Sequence, residues 1–215
     1  MDINLTLENL RESYQDKKLD INDCARDPEE QFDAWLEAAI SSKCDEPNAF
    51  VLSTAKLNRP RGRVVLLKGI HQGQFIFYTN YSSSKGEEIT ANDRVALTFL
   101  WLPLHRQVRI EGRVALVEPR LSDEYFHKRP RGSQIGAIAS PQSQKVKDRA
   151  QLEKLFSVIE KKFADSPVLP RPAHWGGYGV TPEYFEFWQG RRNRMHDRVC
   201  YQKNNSDWDI FRIAP

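Results

Sequence analysis

The residues best suited to chemistry lie near the C-terminus, where Arg194, His196 and Arg198 occupy every second position of "RMHDRVCYQ". Successive side chains of a strand point to opposite faces. Read as a strand, the segment therefore directs these three residues to one side, and Met195 and Asp197 to the other. Two guanidiniums around an imidazole form either a solvated sheet face or the wall of a pocket for an anionic, aromatic ligand.

A second basic stretch, "RVVLLK", places Arg63 and Lys68 at the two ends of an apolar run. Arginine binds phosphate as a fork and lysine as a point charge, so the pair is able to bind phosphate. Charges that merely flank a buried run are the alternative. Because the two residues are five positions apart, a regular strand would direct them to opposite faces, and one shared site requires a bulge or a long ligand.

The segment "YTNYSSSKGEE" places Ser84 and Lys85 where a strand gives way to a helix. Free backbone amides and the helix dipole make such a position suitable for an anion. A serine-rich N-cap beside a solvated lysine is an equally good interpretation.

In "DEYFHKRPRGSQ", Tyr125 and Arg129 are four residues apart, and Ser133 follows Pro130. Residues four apart share a helix face, so a phenol, a guanidinium and a hydroxyl are expected to meet at a helix end. This group suits a phosphomonoester, and a solvated basic helix terminus is the alternative.

Two glutamines, Gln107 in "HRQVRIEG" and Gln142 in "SPQSQK", offer the amide groups that the pyrimidine edge of a flavin needs, although residue type alone does not decide this. The chain has neither a GxGxxG nor a GxxxxGK[ST] motif. The glycine-rich "WGGYGV" is predicted to be a bend or bulge rather than a phosphate cradle.

The elements that must position these residues follow from two periodicities. Apolar residues at helical spacing predict a helix from Pro28, capped by Asp27, with Phe32, Trp35, Leu36, Ala39 and Ile40 on one face. Strands rich in Val, Ile and Phe follow Pro47, and helices interrupt them before strands return. We predict an α+β, mainly β fold: a single domain with a helical segment over 1–46 on an antiparallel barrel over 47–215, which carries a helical insert at about 120–165.

Composition narrows the functional classes. The 215 residues are 40% hydrophobic with a net charge of +3, too small a charge to indicate nucleic-acid binding. No apolar run has the length of a membrane span, and the N-terminus lacks a signal-peptide core. Three cysteines without CxxC spacing argue against a disulfide framework or a zinc site, so a cytoplasmic protein without metal is expected.

The motifs together, in order, resemble the pyridoxine (pyridoxamine) 5′-phosphate oxidase family, from about Leu10 to the final "RIAP". The resemblance rests on "RVVLLK", "FYTNYSSSK", "RQVRIEG", "YFHKRPRGSQIGA", "HWGG" and "EFWQGRRNRMHDR". It implies an FMN-binding split antiparallel β-barrel, with the flavin bound across the interface of a homodimer. It further implies oxidation of pyridoxine or pyridoxamine 5′-phosphate by O2, in vitamin B6 biosynthesis or salvage, to pyridoxal 5′-phosphate and H2O2, with ammonia from the amine.

The resemblance also assigns residues. Those implied to bind FMN are Arg63, Val64, Val65, Leu66, Leu67, Lys68, Tyr78, Thr79, Ser84, Lys85, Gln107, Gln142, Ser143, Trp188 and Arg198. Those implied to bind substrate are Arg11, Tyr14, Lys68, Tyr125, Arg129, Ser133, Arg194 and His196, and the last two are the implied catalytic residues.

One departure from the family pattern concerns the flavin phosphate. The family usually has Ser-Arg-Lys where this chain has Ser83, Ser84 and Lys85, so one guanidinium is replaced by a hydroxyl. Either FMN binds more weakly or another basic residue, such as Arg61, compensates. Two other functions remain open: a related split-barrel oxidase of the phenazine-biosynthesis type, and a non-catalytic flavin- or haem-binding protein.

Overall fold

The computed structural model describes residues 17–215. The short N-terminal helix expected over residues 5–15, and with it Arg11 and Tyr14, lies outside the described residues. Within the described part, nine strands and five α-helices give the mainly β, α+β fold predicted from the sequence. No helix in this part is long and apolar enough to cross a membrane.

The helices are α1 (Pro28–Ser41), α2 (Ser84–Ala91), α3 (Pro119–Lys128), α4 (Arg131–Ala139) and α5 (Arg149–Lys162). The strands are β1 (Ala49–Lys56), β2 (Arg59–Leu66), β3 (Gly69–His71), β4 (Gln74–Asn80), β5 (Arg94–Trp101), β6 (Arg106–Leu116), β7 (Trp175–Gln189), β8 (Asp197–Asn204) and β9 (Asp207–Arg212). They form one sheet in the order β2-β1-β5-β6-β7-β4-β3, while β8 pairs with β7 and β9.

The chain divides into two compact units. Among the described residues, the first comprises 17–48, Leu97–Ile110 and Glu183–Pro215, and the second comprises Ala49–Ala96 and Glu111–Pro182.

The first unit is built around α1. As predicted, Asp27 caps this helix by accepting a hydrogen bond from the Glu29 amide, and Pro28 occupies its first turn. Phe32 lies edge-on to Phe99 at 5.0 Å between ring centroids, and Trp35 packs in the same way on Phe187 at 5.2 Å. These four rings are buried and contribute to the hydrophobic core of this unit. Ile40, which was expected on the same face, is 57% exposed.

In the second unit, β1 pairs with β2 from Ala49–Leu66 to Lys56–Arg59, and β4 pairs with the first part of β7. Alternate residues of β1 are buried, as a strand with one covered face requires. Helices α3 and α4 enclose a cluster of Phe126, Ile135, Leu169 and Trp175.

The glycine-rich "WGGYGV" forms part of β7 rather than a bend or bulge. The glycines are needed because neighbouring side chains approach the strand closely. A Cβ at Gly177 would lie 2.7 Å from Val117 Cγ2 and 2.8 Å from Tyr78 Cε1. The prediction was wrong because this crowding comes from distant segments and not from the local sequence.

We therefore expect Gly177→Ala to lower the melting temperature. Overpacking costs about 1–3 kcal/mol, which corresponds to roughly 2–12 °C in a chain of this size. Gly136→Ala in α4 is the matched control, because a Cβ there has no neighbour within 4 Å. That control should keep or raise the melting temperature, and equal behaviour of both variants in a thermal melt would contradict the crowding argument.

Candidate active site

A cavity of about 510 Å³ in the second unit brings many of the sequence-predicted residues together. The end of β2, the loop after it, β4, the first turn of α2 and the α3–α4 corner all contribute to its wall. The lining residues are Val64, Val65, Leu66, Lys68, Tyr78, Thr79, Lys85, Tyr125, Arg129, Pro130, Ser133, Gln142 and Trp175.

Lys85 lies in the first turn of α2, where the sequence left an anion site and a serine-rich N-cap as equal interpretations. Its ammonium donates hydrogen bonds to Gln142 Oε1 at 2.8 Å, Thr79 Oγ1 at 3.1 Å and Ser83 Oγ at 3.2 Å. All three acceptors are uncharged, so none of them neutralises the ammonium. Desolvation, together with the nearby positive charge of Arg63, lowers the pKa of Lys85. A bound anion would relieve both effects, which makes this corner a fitting phosphate site.

Arg63 and Lys68 do not follow the regular strand assumed from the sequence. Strand β2 ends at Leu66, so Lys68 lies beyond it and lines the cavity without any need for a bulge. The Arg63 guanidinium donates to Glu88 Oε2 at 2.6 Å and to Thr54 Oγ1 at 2.6 Å. Arg63 is thus held beside the cavity instead of lining it.

Stacked rings form another part of the wall. The ring of Tyr78 lies 4.0 Å from that of Tyr125 and 5.7 Å from that of Trp175, at angles of 15° and 11°. The guanidinium of Arg129 lies over the Trp175 ring at 4.7 Å. Such stacking fixes a planar cation without using its hydrogen-bond donors.

Arg129 has an unused donor. Its Nη1 atom is buried and lacks a hydrogen-bond partner within the described residues. Burial lowers the pKa of Arg129, since a charged group loses solvation there. Because an orphaned buried donor is costly, its place in the wall beside Tyr125 and Ser133 fits an anionic ligand.

Tyr125, Arg129 and Ser133 meet at this corner, as the sequence predicts, but Tyr125 and Arg129 do not meet on one helix face. Helix α3 ends at Lys128, and Arg129 is its extended C-cap, so Tyr125 and Arg129 do not share a regular helix face. The following helix α4 carries Ser133.

Five further predicted residues lie in the first unit: Gln107, Trp188, Arg194, His196 and Arg198. Gln107 is in β6 and Trp188 is in β7, where Trp188 pairs with Arg198 of β8. Arg198 donates from Nε to Glu186 Oε1 at 2.8 Å, and Arg109 binds the other oxygen of the same buried carboxylate at 3.0 Å. Glu186 in β7 thus holds one guanidinium from β6 and one from β8.

Arg194 and His196 are not in a strand, which corrects the alternation assumed at first. Residues Arg192–Arg194 form a 3₁₀ turn in which Asn193 and Arg194 have positive φ, and β8 begins only at Asp197. A strand therefore cannot set the directions of the Arg194 and His196 side chains. Met195, expected opposite to them, is 68% exposed.

The His196 ring is held by two contacts. It lies 4.7 Å from the Trp188 ring, and its Nδ1 accepts a hydrogen bond from the Arg191 amide at 3.1 Å. The accepting Nδ1 places the proton of a neutral imidazole on Nε2. Burial and the positive charge of Arg194 lower the pKa of His196, so the neutral form dominates at pH 7.

Three other residues implied to bind FMN do not line the cavity: Leu67, Ser84 and Ser143. Ser84 begins α2, Leu67 is buried, and Ser143 follows Gln142 with a left-handed backbone. The sequence interpretation assigned no role to Trp175, Glu88 or Glu186. The motifs "HWGG", "YTNYSSSKGEE" and "EFWQGRRNRMHDR" contain these three residues, but stacking and burial of a charge leave no mark in local sequence.

Comparison with known proteins defines the class. A family profile described as pyridoxamine 5′-phosphate oxidase matches residues 31–163, and one described as the pyridoxine 5′-phosphate oxidase C-terminal dimerisation region matches residues 175–215. The chain belongs to the pyridoxamine 5′-phosphate oxidase family, and is an enzyme of that class.

Particular relatives support this. A pyridoxine/pyridoxamine 5′-phosphate oxidase of Salinibacter ruber is 48% identical over 212 residues, which cover 97% of this chain and 99% of that protein. One of Cytophaga hutchinsonii is 47% identical over 97% of this chain and 98% of its own length. Among solved structures, PhzG from Burkholderia lata in complex with tetrahydrophenazine-1-carboxylic acid superposes with a TM-score of 0.87 at 27% identity, over 95% of this chain and all of that one. The split-barrel fold is thereby confirmed, in agreement with the open sheet.

Proposed function

We propose that this protein oxidises pyridoxine 5′-phosphate or pyridoxamine 5′-phosphate with O2, using FMN, to give pyridoxal 5′-phosphate and H2O2, and that the amine substrate also consumes water and releases ammonia. The observation that carries the proposal is the buried, unpartnered Nη1 of Arg129 in a cavity that Lys68, Tyr125 and Ser133 also line. Two cations and two hydroxyls match the charge and the oxygen acceptors of a phosphomonoester.

The same cavity fits FMN. Lys85 with Thr79 and Gln142 would hold its phosphate, and the residues Val64 to Leu66 would lie along the isoalloxazine. When bound, FMN would supply the hydride acceptor for the C4′ carbon and the reaction with O2.

The site is proposed to be completed by a second copy of the chain. The match of residues 175–215 to a dimerisation region supports a homodimer. In this proposal Gln107, Trp188 and Arg198 of the partner subunit contact the flavin. Sedimentation of an FMN-loaded protein as a monomer would contradict it.

The protein's contribution is mainly positioning. Anchoring the substrate phosphate at Lys68, Tyr125, Arg129 and Ser133 would fix the C4′ carbon against the flavin and convert binding free energy into orientation. Arg194 would place positive charge over the pyridine ring. His196, whose neutral form carries a proton on Nε2, would donate a hydrogen bond to the C4′ substituent. Arg11 and Tyr14, outside the described residues, are proposed to close over the substrate.

The direct test uses purified protein with added FMN and measures aldehyde and H2O2 from each phosphorylated vitamer. We expect both products in equal amounts. The likeness to PhzG favours one competing substrate, a partly reduced phenazine carboxylate. Turnover of that compound without turnover of either vitamer would replace our proposal, and flavin binding without turnover of any of them would indicate a non-catalytic protein.

The pH dependence of kcat/KM gives a further prediction. If the neutral imidazole of His196 is the active form, kcat/KM falls as pH drops through the lowered pKa of His196. Arg194→Gln removes a positive charge that lowers this pKa, so the acid limb should move to higher pH.

Arg194→Lys is the matched control, because it keeps the charge and should leave the acid limb in place. The quantity compared is the pH of the acid limb and not the size of kcat/KM, because both substitutions also alter substrate binding. An unshifted limb in Arg194→Gln would show that another group controls it.

A further inference from the structure

Glu88 is a buried carboxylate that holds two arginines. It lies in α2, three residues after Lys85, and its side chain is only 2% exposed. Oε1 accepts a hydrogen bond from Arg61 at 2.8 Å, and Oε2 accepts from Arg63 at 2.6 Å. Burying an unpaired carboxylate costs free energy, and the two arginines offset that cost for Glu88.

Thr54 ties this group together. Its hydroxyl donates to Glu88 Oε2 at 2.5 Å and accepts from Arg63 Nη1 at 2.6 Å. Burial raises the pKa of the Glu88 carboxyl, but hydrogen bonds from Thr54 and Arg63 and the charge of Arg63 outweigh it, and the pKa lies below its usual value. Glu88 is therefore ionised at neutral pH.

The charges around Glu88 do not cancel. Arg61, Arg63 and Lys85 bring three positive charges to one carboxylate. Glu88 joins Arg63 to α2, the helix whose first turn carries Lys85, and the Arg63 charge lowers the pKa of Lys85. After the negative charge of Glu88 is subtracted, two positive charges remain, which match the charge of a phosphate dianion.

We propose that Glu88 is a positioning residue that holds the Arg63 guanidinium in place for the phosphate of the flavin cofactor. This inference rests on the proposed function. Arg63 has a long side chain with many rotamers, and an unheld guanidinium would lose that freedom on binding. The carboxylate, the Thr54 hydroxyl and the Leu52 carbonyl accept three of its five N–H donors in advance, and the other two are proposed to serve the ligand.

The test compares two ligands that differ only in the phosphate. Apoprotein is titrated with FMN and with riboflavin, and flavin fluorescence gives both dissociation constants. We expect the wild type to prefer FMN. Glu88→Gln should weaken FMN binding by about tenfold, the lower end of the range for one charged hydrogen bond, and leave riboflavin binding unchanged.

Glu87→Gln is the matched control. Glu87 precedes Glu88, is exposed and lies 3.8 Å from Lys56, so its substitution makes the same change of charge outside the cluster. It should leave the preference for FMN intact. A general effect of net charge would instead move both variants alike.

A double mutant tests whether Glu88 acts through Arg63, because a residue that only stabilises the fold would affect FMN binding with or without Arg63. In an Arg63→Ala background, Glu88→Gln should have no further effect on the FMN-to-riboflavin ratio. Should Glu88→Gln fail to fold, Thr54→Val removes two hydrogen bonds from the same cluster and should lower the preference for FMN over riboflavin several-fold.

The outcomes separate the two proposals. A wild type that binds riboflavin as tightly as FMN would overturn the proposed function. A wild type that prefers FMN, with a Glu88→Gln variant of unchanged or increased preference, would overturn only the role of Glu88. An increase in particular would mean that the carboxylate competes with the phosphate.

Discussion

Replacing Arg129 with alanine is expected to lower kcat/KM for a phosphorylated B6 vitamer by about 30- to 150-fold. The variant removes the orphaned Nη1 donor and the cation over Trp175. A hydrogen bond to a charged partner contributes roughly 2–3 kcal/mol, which gives that factor. Because phosphate contacts persist from bound substrate to transition state, most of the loss should appear in KM.

Two controls sharpen this result. Arg131→Ala removes an exposed guanidinium two residues away, which donates to the Phe163 carbonyl, and should leave KM unchanged. Substrate without its phosphate should be a poor substrate for wild type and for Arg129→Ala alike. If Arg129→Ala slows both substrates by the same factor, Arg129 does not bind the phosphate.

The surroundings of Arg129 were only partly predictable from the sequence. Residue types and spacing correctly placed Tyr125, Arg129 and Ser133 at one helix end. They did not reveal that α3 stops before Arg129, nor that Trp175 lies beneath the guanidinium. Stacking across distant segments depends on chain packing, which local periodicity does not encode.

The elements themselves were largely predictable. The Asp27 cap and the alternating burial of β1 are local properties, and both follow the expected pattern. The errors occurred where tertiary contacts overrode local signals. The segment before Asp197 reads as a strand by alternation, yet left-handed Asn193 and Arg194 turn the chain there.

Buried charge was the least visible feature. Glu88 and Glu186 each hold two arginines, and each has an exposure of about 2%. In sequence both are ordinary glutamates, and acidic residues are mostly exposed. Only the fold shows that each of these carboxylates holds two arginine side chains.

Lys85 provides the second large effect. Lys85→Met keeps most of the aliphatic stem and removes an ammonium whose three acceptors are all neutral. We expect the dissociation constant for FMN to rise by about 30- to 150-fold, by the same scale of roughly 2–3 kcal/mol, and the purified protein to lose its flavin. Riboflavin binding should change little, since the ammonium is assigned to the phosphate.

A substitution at Ser84, next to Lys85, should change the FMN dissociation constant in the opposite direction. Ser84→Arg adds a cation next to Lys85 at the start of α2, where the helix dipole also favours an anion, and should lower the FMN dissociation constant. Lys56→Met, which removes an exposed ammonium of the same unit, should leave it unchanged. Fluorescence titration of the three apoproteins decides the matter. If Lys85→Met keeps its flavin while Ser84→Arg gains nothing, the phosphate does not lie at the first turn of α2, and the ammonium instead serves to hold Gln142 and Thr79 in the cavity wall.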